Sequence, residues 1–423
     1  VRWGGLVLLA AALLAGGGAA ARKPAPAELR KQAVPLALER FYADLARLEQ
    51  GEITHLHIVQ LGDSHTAGDV FSGRLRSRFQ AAFGSAGRGA MPPGKTYPGI
   101  RQKEVSLAQS GPWTMRNGKL GSTDLAFGLS GFVAVSGDAG AAMQVSSAEE
   151  RGFQRARIDF LRGDSGPAME VLLDGAVVET VPTDGAEGET GTVEVAAADG
   201  ARTLGLVAQG AGLRIKGWSL ARNEPGVFVE SFGVVGATVR VLERWNADSV
   251  AADMAALDPS LVLLAFGTNE GFEIGLDPHD YTQAFARGLD RLAGWAPRAS
   301  LLVVGPPDGQ RTAGQRAAGP CKPAKPGKKP VPCRWFTPAN LPIVRGIQRR
   351  VALQRGLAFW DWSALMPEPG GIGRWVGADP PLARPDHVHF TLAGYERSAD
   401  ALYEALLDGY SHYKQKHPVA KRK

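Results

Sequence analysis

The feature that most constrains the fold is a change of period along the chain. In residues 55–83 a short apolar run (Leu56, Ile58, Leu61) stops at Gly62-Asp63-Ser64, and Arg74, Leu75, Arg78, Phe79 and Phe83 then recur at helical spacing. That is a buried strand, a tight turn and a helix. After Gly236 the same alternation returns. Val239, Leu242 and Trp245 predict a helix, Leu261 to Phe266 a strand, and Tyr281 to Leu292 a helix. Leu301 to Val304 and Leu357 to Trp360 predict strands, and Leu341 to Arg355 and Thr391 to Leu407 helices. Strands alternating with helices argue for a parallel sheet covered on both faces, with its site at the strand C-termini.

Residues 95–225 follow another rule. Short period-two runs occur at Phe132 to Val135, Arg157 to Leu161, Met169 to Leu173, Val177 to Val181, Val193 to Val195, Leu204 to Val207 and Leu213 to Leu220. Asp174-Gly175 and Asp199-Gly200 read as hairpin turns between such runs. The spacing predicts an antiparallel β-sandwich of jelly-roll type, inserted into the α/β unit. The domain expectation is therefore 36–94 and 226–412 for the α/β unit and 95–225 for the insert.

The polar residues at the ends of the apolar runs carry the chemistry. Ser64 lies at a strand end beside a helix N-terminus, where free N–H groups stabilise an oxyanion. Asp386 and His389 in Asp-His-Val-His are three residues apart, a spacing that lets a carboxylate hold imidazole Nδ1–H while Nε2 faces a serine. Asn269, in Gly267-Thr-Asn269, either donates its amide to an oxyanion or caps the following helix. His65 and His387 are further imidazoles that local chemistry alone does not exclude as the base. Gly163-Asp164-Ser165 repeats the nucleophile tripeptide, but the alternation of Met169, Val171 and Leu173 after it predicts a hairpin turn.

Gly-Asp-Ser at 62–64, Gly233-Val-Val-Gly236-Ala-Thr, Gly-Thr-Asn at 267–269 and Asp-His-Val-His at 386–389 resemble, in order, the four blocks of the SGNH (GDSL-like) hydrolases. The resemblance implies a three-layer α/β/α hydrolase with a parallel sheet, plus the inserted sandwich. It implies Ser64 as nucleophile, His389 as base and Asp386 as its orienting carboxylate, with Ser64 N–H, Gly236 N–H and the Asn269 side chain as oxyanion hole. No metal or cofactor is implied. Gly62 to Asp69, the Pro380-Pro-Leu-Ala-Arg segment and the position of the insert are similar to periplasmic peptidoglycan O-acetylesterases. Their reaction, removal of acetyl groups from cell-wall glycan, is the implied activity. An O-acetyltransferase or esterase for another polysaccharide, and a non-catalytic wall-binding protein, are the alternatives.

Arg374 and Trp375, in the loop 367–375, offer charge and an aromatic platform to a sugar, or pin the loop. The insert either binds glycan or is a scaffold. At the N-terminus, Arg2, the apolar run Leu6 to Leu14 and Ala19-Ala-Ala21 resemble a signal peptide ending at residue 21, with a linker over 22–35. An exported, periplasmic or secreted protein without an integral span after cleavage is expected. Cys321 and Cys333 then close a disulfide loop around a Lys/Pro-rich run, two free thiols being the other reading. The net charge of +6 suits an acidic polymer such as peptidoglycan. No nucleic-acid partner is read from it, and residues 413–423 read as a solvated basic tail. The sequence does not set the oligomeric state.

Overall fold

The computed structural model describes residues 37–98, 100, 102–119, 125–312, 334–366 and 370–418. The expected signal segment, the linker and the Cys321–Cys333 loop lie outside the described residues.

The centre of the α/β unit is a five-stranded sheet. Its strands are β1 (His55–Gly62), β2 (Gly226–Gly233), β3 (Leu261–Ala265), β4 (Ser300–Gly305) and β5 (Ala358–Asp361), in the order β2-β1-β3-β4-β5. All pairs are parallel. Alternate side chains of β1 leave on opposite faces, which divides the core. Leu56 and Ile58 join a layer built by helices Glu39–Glu49, Phe71–Phe83 and Leu392–Lys416. Val59 and Leu61 join the opposite layer, with helices Ala247–Leu257, Pro278–Trp295 and Asn340–Gln354. The fold is thus the expected three-layer α/β/α arrangement with an additional β-rich part. Among the described residues no helix is long and apolar enough to cross a membrane.

That β-rich part lies between β1 and β2 in sequence. It forms a six-stranded and a five-stranded sheet, every pair within them antiparallel. Residues from both, such as Ile158 and Trp218 from one and Met143 and Leu206 from the other, share one core. Asp174-Gly175 makes the expected two-residue hairpin, with φ of 48° and 87° and Leu173 paired to Ala176. Two turn expectations need correction. Gly163-Asp164-Ser165 is a turn but not a hairpin, because strand Phe153–Leu161 belongs to one sheet and Met169–Leu173 to the other. Asp199-Gly200 lies inside strand Thr190–Ala201, where the register shifts after Ala196.

Two helix expectations also change. After Gly236 only a short 3-10 turn forms, Val239–Glu243, and the α-helix starts later, with Asn246 accepting from Ser249 N–H as its cap. The closing helix continues to Lys416, into the expected basic tail. Buried Tyr410 holds it there, donating its hydroxyl to Glu49 at 2.7 Å.

The ends of β1 and β2 approach through glycine. Gly62 and Gly233 are paired in register. A Cβ on Gly233 would lie 2.1 Å from Ala67 N, and one on Gly62 would lie 2.1 Å from Thr66 Oγ1. Both close approaches are to the short helix Ser64–Ala67, so the glycines let it sit over the strand ends. Gly233→Ala is therefore expected to lower stability by about 1–3 kcal/mol as an overpacking change against backbone. Gly294→Ala, in the helix Pro278–Trp295 with nothing within 4 Å of the new Cβ, is expected to raise it by about 0.5–1 kcal/mol. Thermal denaturation of the pair checks both signs.

Candidate active site

Chain order places β2 on one side of β1 and β3 on the other, so β1 is the point where the connection changes direction. Open α/β sheets form a crevice beyond the carboxyl end of such a strand. Ser64 stands there, half-buried, as the first residue of its short helix. Asp63 caps that helix by accepting from His65 N–H at 2.9 Å.

The loop after β5 brings the distant residues to Ser64. Ser64 Oγ lies 2.9 Å from His389 Nε2, and His389 Nδ1 lies 2.8 Å from Asp386 Oδ2. Asp386 Oδ1 accepts the N–H groups of Val388 and His389, each at 2.9 Å. Burial pushes the Asp386 carboxyl up. The imidazole and the two N–H groups outweigh it and hold the pKa at about 2, so a carboxylate faces the ring at neutral pH. Nδ1 then keeps its proton, and Nε2 presents a lone pair to the serine hydroxyl.

The other imidazoles are engaged elsewhere. His65 bonds Tyr395 through Nδ1 at 3.0 Å, and burial, then the neighbouring His389, lowers its pKa to about 3. His387, at φ 57°, bonds Gln310 through Nδ1 at 2.8 Å, and its ring is stacked on Trp335 with centroids 3.6 Å apart.

The loop after β2 and the turn after β3 meet on the other side of Ser64. Gly236 has φ 68°, a conformation that favours glycine. Among the described residues its N–H has no acceptor. Asn269 Nδ2 donates to Ala237 O at 2.8 Å and points toward Asp63 Oδ2 at 3.5 Å. The N-cap of the helix Thr268–Phe272 is Gly267, so Asn269 is not the helix cap. Asp63 is fully buried. Burial raises its carboxyl to about 6, against hydrogen bonds from His65 and Thr268 that favour the ionised form. Glu270 Oε1 accepts Val239 N–H at 2.8 Å, and burial pushes that carboxyl up to about 7.

The insert reaches the same edge. Tyr97 OH donates to Ala67 O at 2.7 Å, and Lys119 Nζ donates to Val235 O at 3.0 Å, next to Gly236. Asp69 ties the junction, paired with Arg76 at 2.8 Å and Arg88 at 2.9 Å and accepting from Lys103 N–H. A separate cavity of about 430 Å³ lies between insert and sheet, lined by His55, His57, Arg155, Trp218 and Phe228. Its β1 lining residues, His55 and His57, lie at the start of that strand, away from Ser64.

Trp375 corrects the sequence expectation of an aromatic platform. It is only 6% exposed, packs on Phe390 at 5.1 Å and has Arg397 over its ring at 5.6 Å. Its carbonyl accepts Leu382 and Ala383 N–H, so it fastens the segment leading to Asp386. Arg374, one residue earlier, is exposed. Glu270, Lys119 and Trp335 were not singled out by sequence. A glutamate in the first turn of a helix reads as a partner of the helix dipole, and nothing local announces that Glu270 is buried.

Residues 195–397 match the GDSL-like lipase/acylhydrolase family. That range holds Gly236, Asn269, Asp386 and His389, while Ser64 precedes it and is joined to them by the pairing of β1. A solved peptidoglycan O-acetylesterase is similar over 88% of this chain and 96% of its own, at 26% identity and TM-score 0.71. A family two carbohydrate esterase from Clostridium thermocellum in complex with cellohexaose, at 11% identity over 74% of this chain and 99% of its own, superposes with TM-score 0.30. An acetyl xylan esterase, at 16% identity over 41% of this chain and 78% of its own, gives 0.29. No curated protein matches the sequence. The chain carries an SGNH-type, GDSL-like acylhydrolase domain. It is a carboxylic ester hydrolase.

The buried carboxyl of Glu270 sets a pH-dependent stability. Its folded pKa of about 7 exceeds the ordinary 4.5. As pH rises between these values the unfolded chain loses a proton that the folded one keeps, so folding is progressively disfavoured, and above the folded value the penalty is constant. Glu270→Gln removes this term. Its melting temperature relative to the parent is expected to be higher at pH 8 than at pH 4, and a difference independent of pH contradicts the assignment.

Proposed function

We propose that the protein is a serine O-acetylesterase of peptidoglycan, acting outside the cytoplasm, with Ser64 as nucleophile, His389 as base and acid, and Asp386 as orienting carboxylate. The observation that carries this reading is the 2.9 Å and 2.8 Å chain of contacts from Ser64 through His389 to Asp386. Similarity to the solved peptidoglycan O-acetylesterase supports the substrate. Coverage of 88% of the chain leaves out fewer residues than the insert contains, so the likeness extends into the insert.

In this reading Ser64 Oγ attacks the acetyl carbonyl as its proton passes to His389 Nε2. Negative charge gathers on the carbonyl oxygen, and the N–H groups of Ser64 and Gly236 receive it, joined by the Asn269 amide proton that gives up its long 3.5 Å contact with Asp63 Oδ2 for the oxyanion. The ester bond breaks, His389 returns the proton to the departing sugar hydroxyl, and an acetyl-serine remains. Water, deprotonated by His389, then attacks that carbonyl, the Ser64 Oγ–acyl bond breaks, acetate leaves, and His389 returns the proton to Oγ. Asp386 keeps the ring in one tautomer and stabilises it while it is charged. Tyr97 and Lys119 place the insert along this edge, where it touches a polymer extending beyond the acetyl group. Arg374 is a further surface contact for that polymer.

Acetate release from O-acetylated peptidoglycan, measured beside acetylated xylan, tests the substrate. Ser64→Ala and His389→Ala are each expected to abolish turnover, and Ser165→Ala, on its exposed turn, to leave it unchanged. Activity without Ser64 refutes the reading. Preference for xylan, or transfer of acetyl to an added sugar instead of water, refutes the substrate or the hydrolytic outcome.

Asn269→Ala is expected to lower kcat roughly 10²-fold if its amide meets the oxyanion. An unchanged rate restricts Asn269 to holding Ala237.

A further inference from the structure

Resting on the reading that Gly236 N–H receives the oxyanion, we propose that Glu270 is a positioning residue that sets the direction of this N–H by holding the loop at Val239. The loop leaves β2 at Gly233, turns at Gly236 with φ 68°, and enters the 3-10 turn at Val239. Within the turn, Ala237 N–H donates to Val234 O at 3.0 Å, which closes the bend around Gly236 but does not fix its orientation relative to Ser64.

Orientation comes from the helix Thr268–Phe272. Its consecutive residues Asn269 and Glu270 grip the loop at two points, Asn269 Nδ2 on Ala237 O at 2.8 Å and Glu270 Oε1 on Val239 N–H at 2.8 Å. These contacts are to a backbone acceptor and a backbone donor, so together they restrain both translation and rotation of the segment after Gly236. The same helix carries Asn269, a second proposed oxyanion donor, so one rigid turn spaces both donors.

The chemistry of Glu270 argues that this contact is more than packing. The residue is 2% exposed, and its buried Oε2 has no hydrogen-bond partner among the described residues. Burying a carboxyl with half of its oxygens unserved costs free energy that an apolar residue there would avoid. What Glu270 supplies and a leucine does not is an acceptor for Val239 N–H, which would otherwise be a buried unpaired donor in the loop that holds Gly236.

The bond can be broken from either side. Glu270→Ala deletes the acceptor. Val239→Pro deletes the donor and suits the backbone, because Val239 is the first residue of its turn and Thr238 before it is extended, at φ −104° and ψ 169°. Each is assayed on 4-nitrophenyl acetate and on O-acetylated peptidoglycan, beside Glu270→Gln, which keeps an acceptor oxygen. Glu270→Ala and Val239→Pro are each expected to lower kcat about tenfold to hundredfold on both substrates, with KM within about twofold, approaching the loss of an oxyanion donor. Combining them is expected to add little, since both break one bond, and Glu270→Gln is expected to retain most of kcat.

If Glu270→Ala does not fold, Val239→Pro decides the matter alone. Unchanged kcat in the folded variants, an effect confined to KM, or an effect on the polymer only, overturns the inference. Ser64→Ala, run in the same series, separates the two levels. Loss of turnover there with full kcat in the loop variants rejects the role of Glu270 alone, while activity in Ser64→Ala rejects the reading on which it rests.

Discussion

The site depends first on the parallel pairing of β1 between β2 and β3. In register, Gly62 faces Gly233 on one side and Ala265 on the other. That alignment brings Ser64, the Gly236 loop and Asn269 to one edge, although the chain passes through the whole insert between the first and second of them. Closing so long a connection costs entropy that grows only slowly with its length. The insert is therefore tolerated provided that its ends are clasped: Asp69 holds Arg76, Arg88 and Lys103 N–H at the entry, and Arg76 Nε donates to Val229 O on β2, just past the exit. Burial raises the Asp69 pKa, but the two guanidinium groups outweigh it and hold it at about 2, so the clasp remains charged at neutral pH.

Around that alignment the site is built from backbone held by buried polar side chains. Asp63 links the Ser64 turn to Thr268 and Asn269, Asn269 links to Ala237, and Glu270 links to Val239. In a poorly solvated edge of this kind, unmade hydrogen bonds are costly, so the linked turns have little freedom to move independently. The opposite wall is fixed in the same manner, with Trp375, Phe390 and Tyr395 packed beneath the segment that carries Asp386 and His389. Rigid placement matters for acyl transfer because donors must stand where charge develops, not where it rests in the substrate.

Much of this was legible in the sequence because it is local. The apolar runs of β1, β3 and β4 announce buried strands, and Asp386 and His389 are close enough along the chain for their pairing to be read from spacing. Asp174-Gly175 announced its hairpin for the same reason. What was not legible depends on tertiary placement. Asp199-Gly200 has the composition of a turn but is absorbed into a strand paired with Phe153–Leu161. Trp375 resembles a sugar platform until Phe390 and Arg397 are seen to cover it. Val239, Leu242 and Trp245 have helical spacing, yet only the first two lie in the 3-10 turn Val239–Glu243. Glu270, beside a recognisable asparagine, gives no sign in sequence of which backbone group it holds.

If Ser64 is acylated through His389, rapid-quench mass spectrometry during turnover of O-acetylated peptidoglycan fragments captures the acyl-enzyme. The expected result is a transient mass increase of one acetyl group, confined to the peptide containing Ser64, which forms and decays at rates compatible with turnover. Steady turnover with no acetylated chain at any time, or with acetyl on a residue other than Ser64, contradicts it.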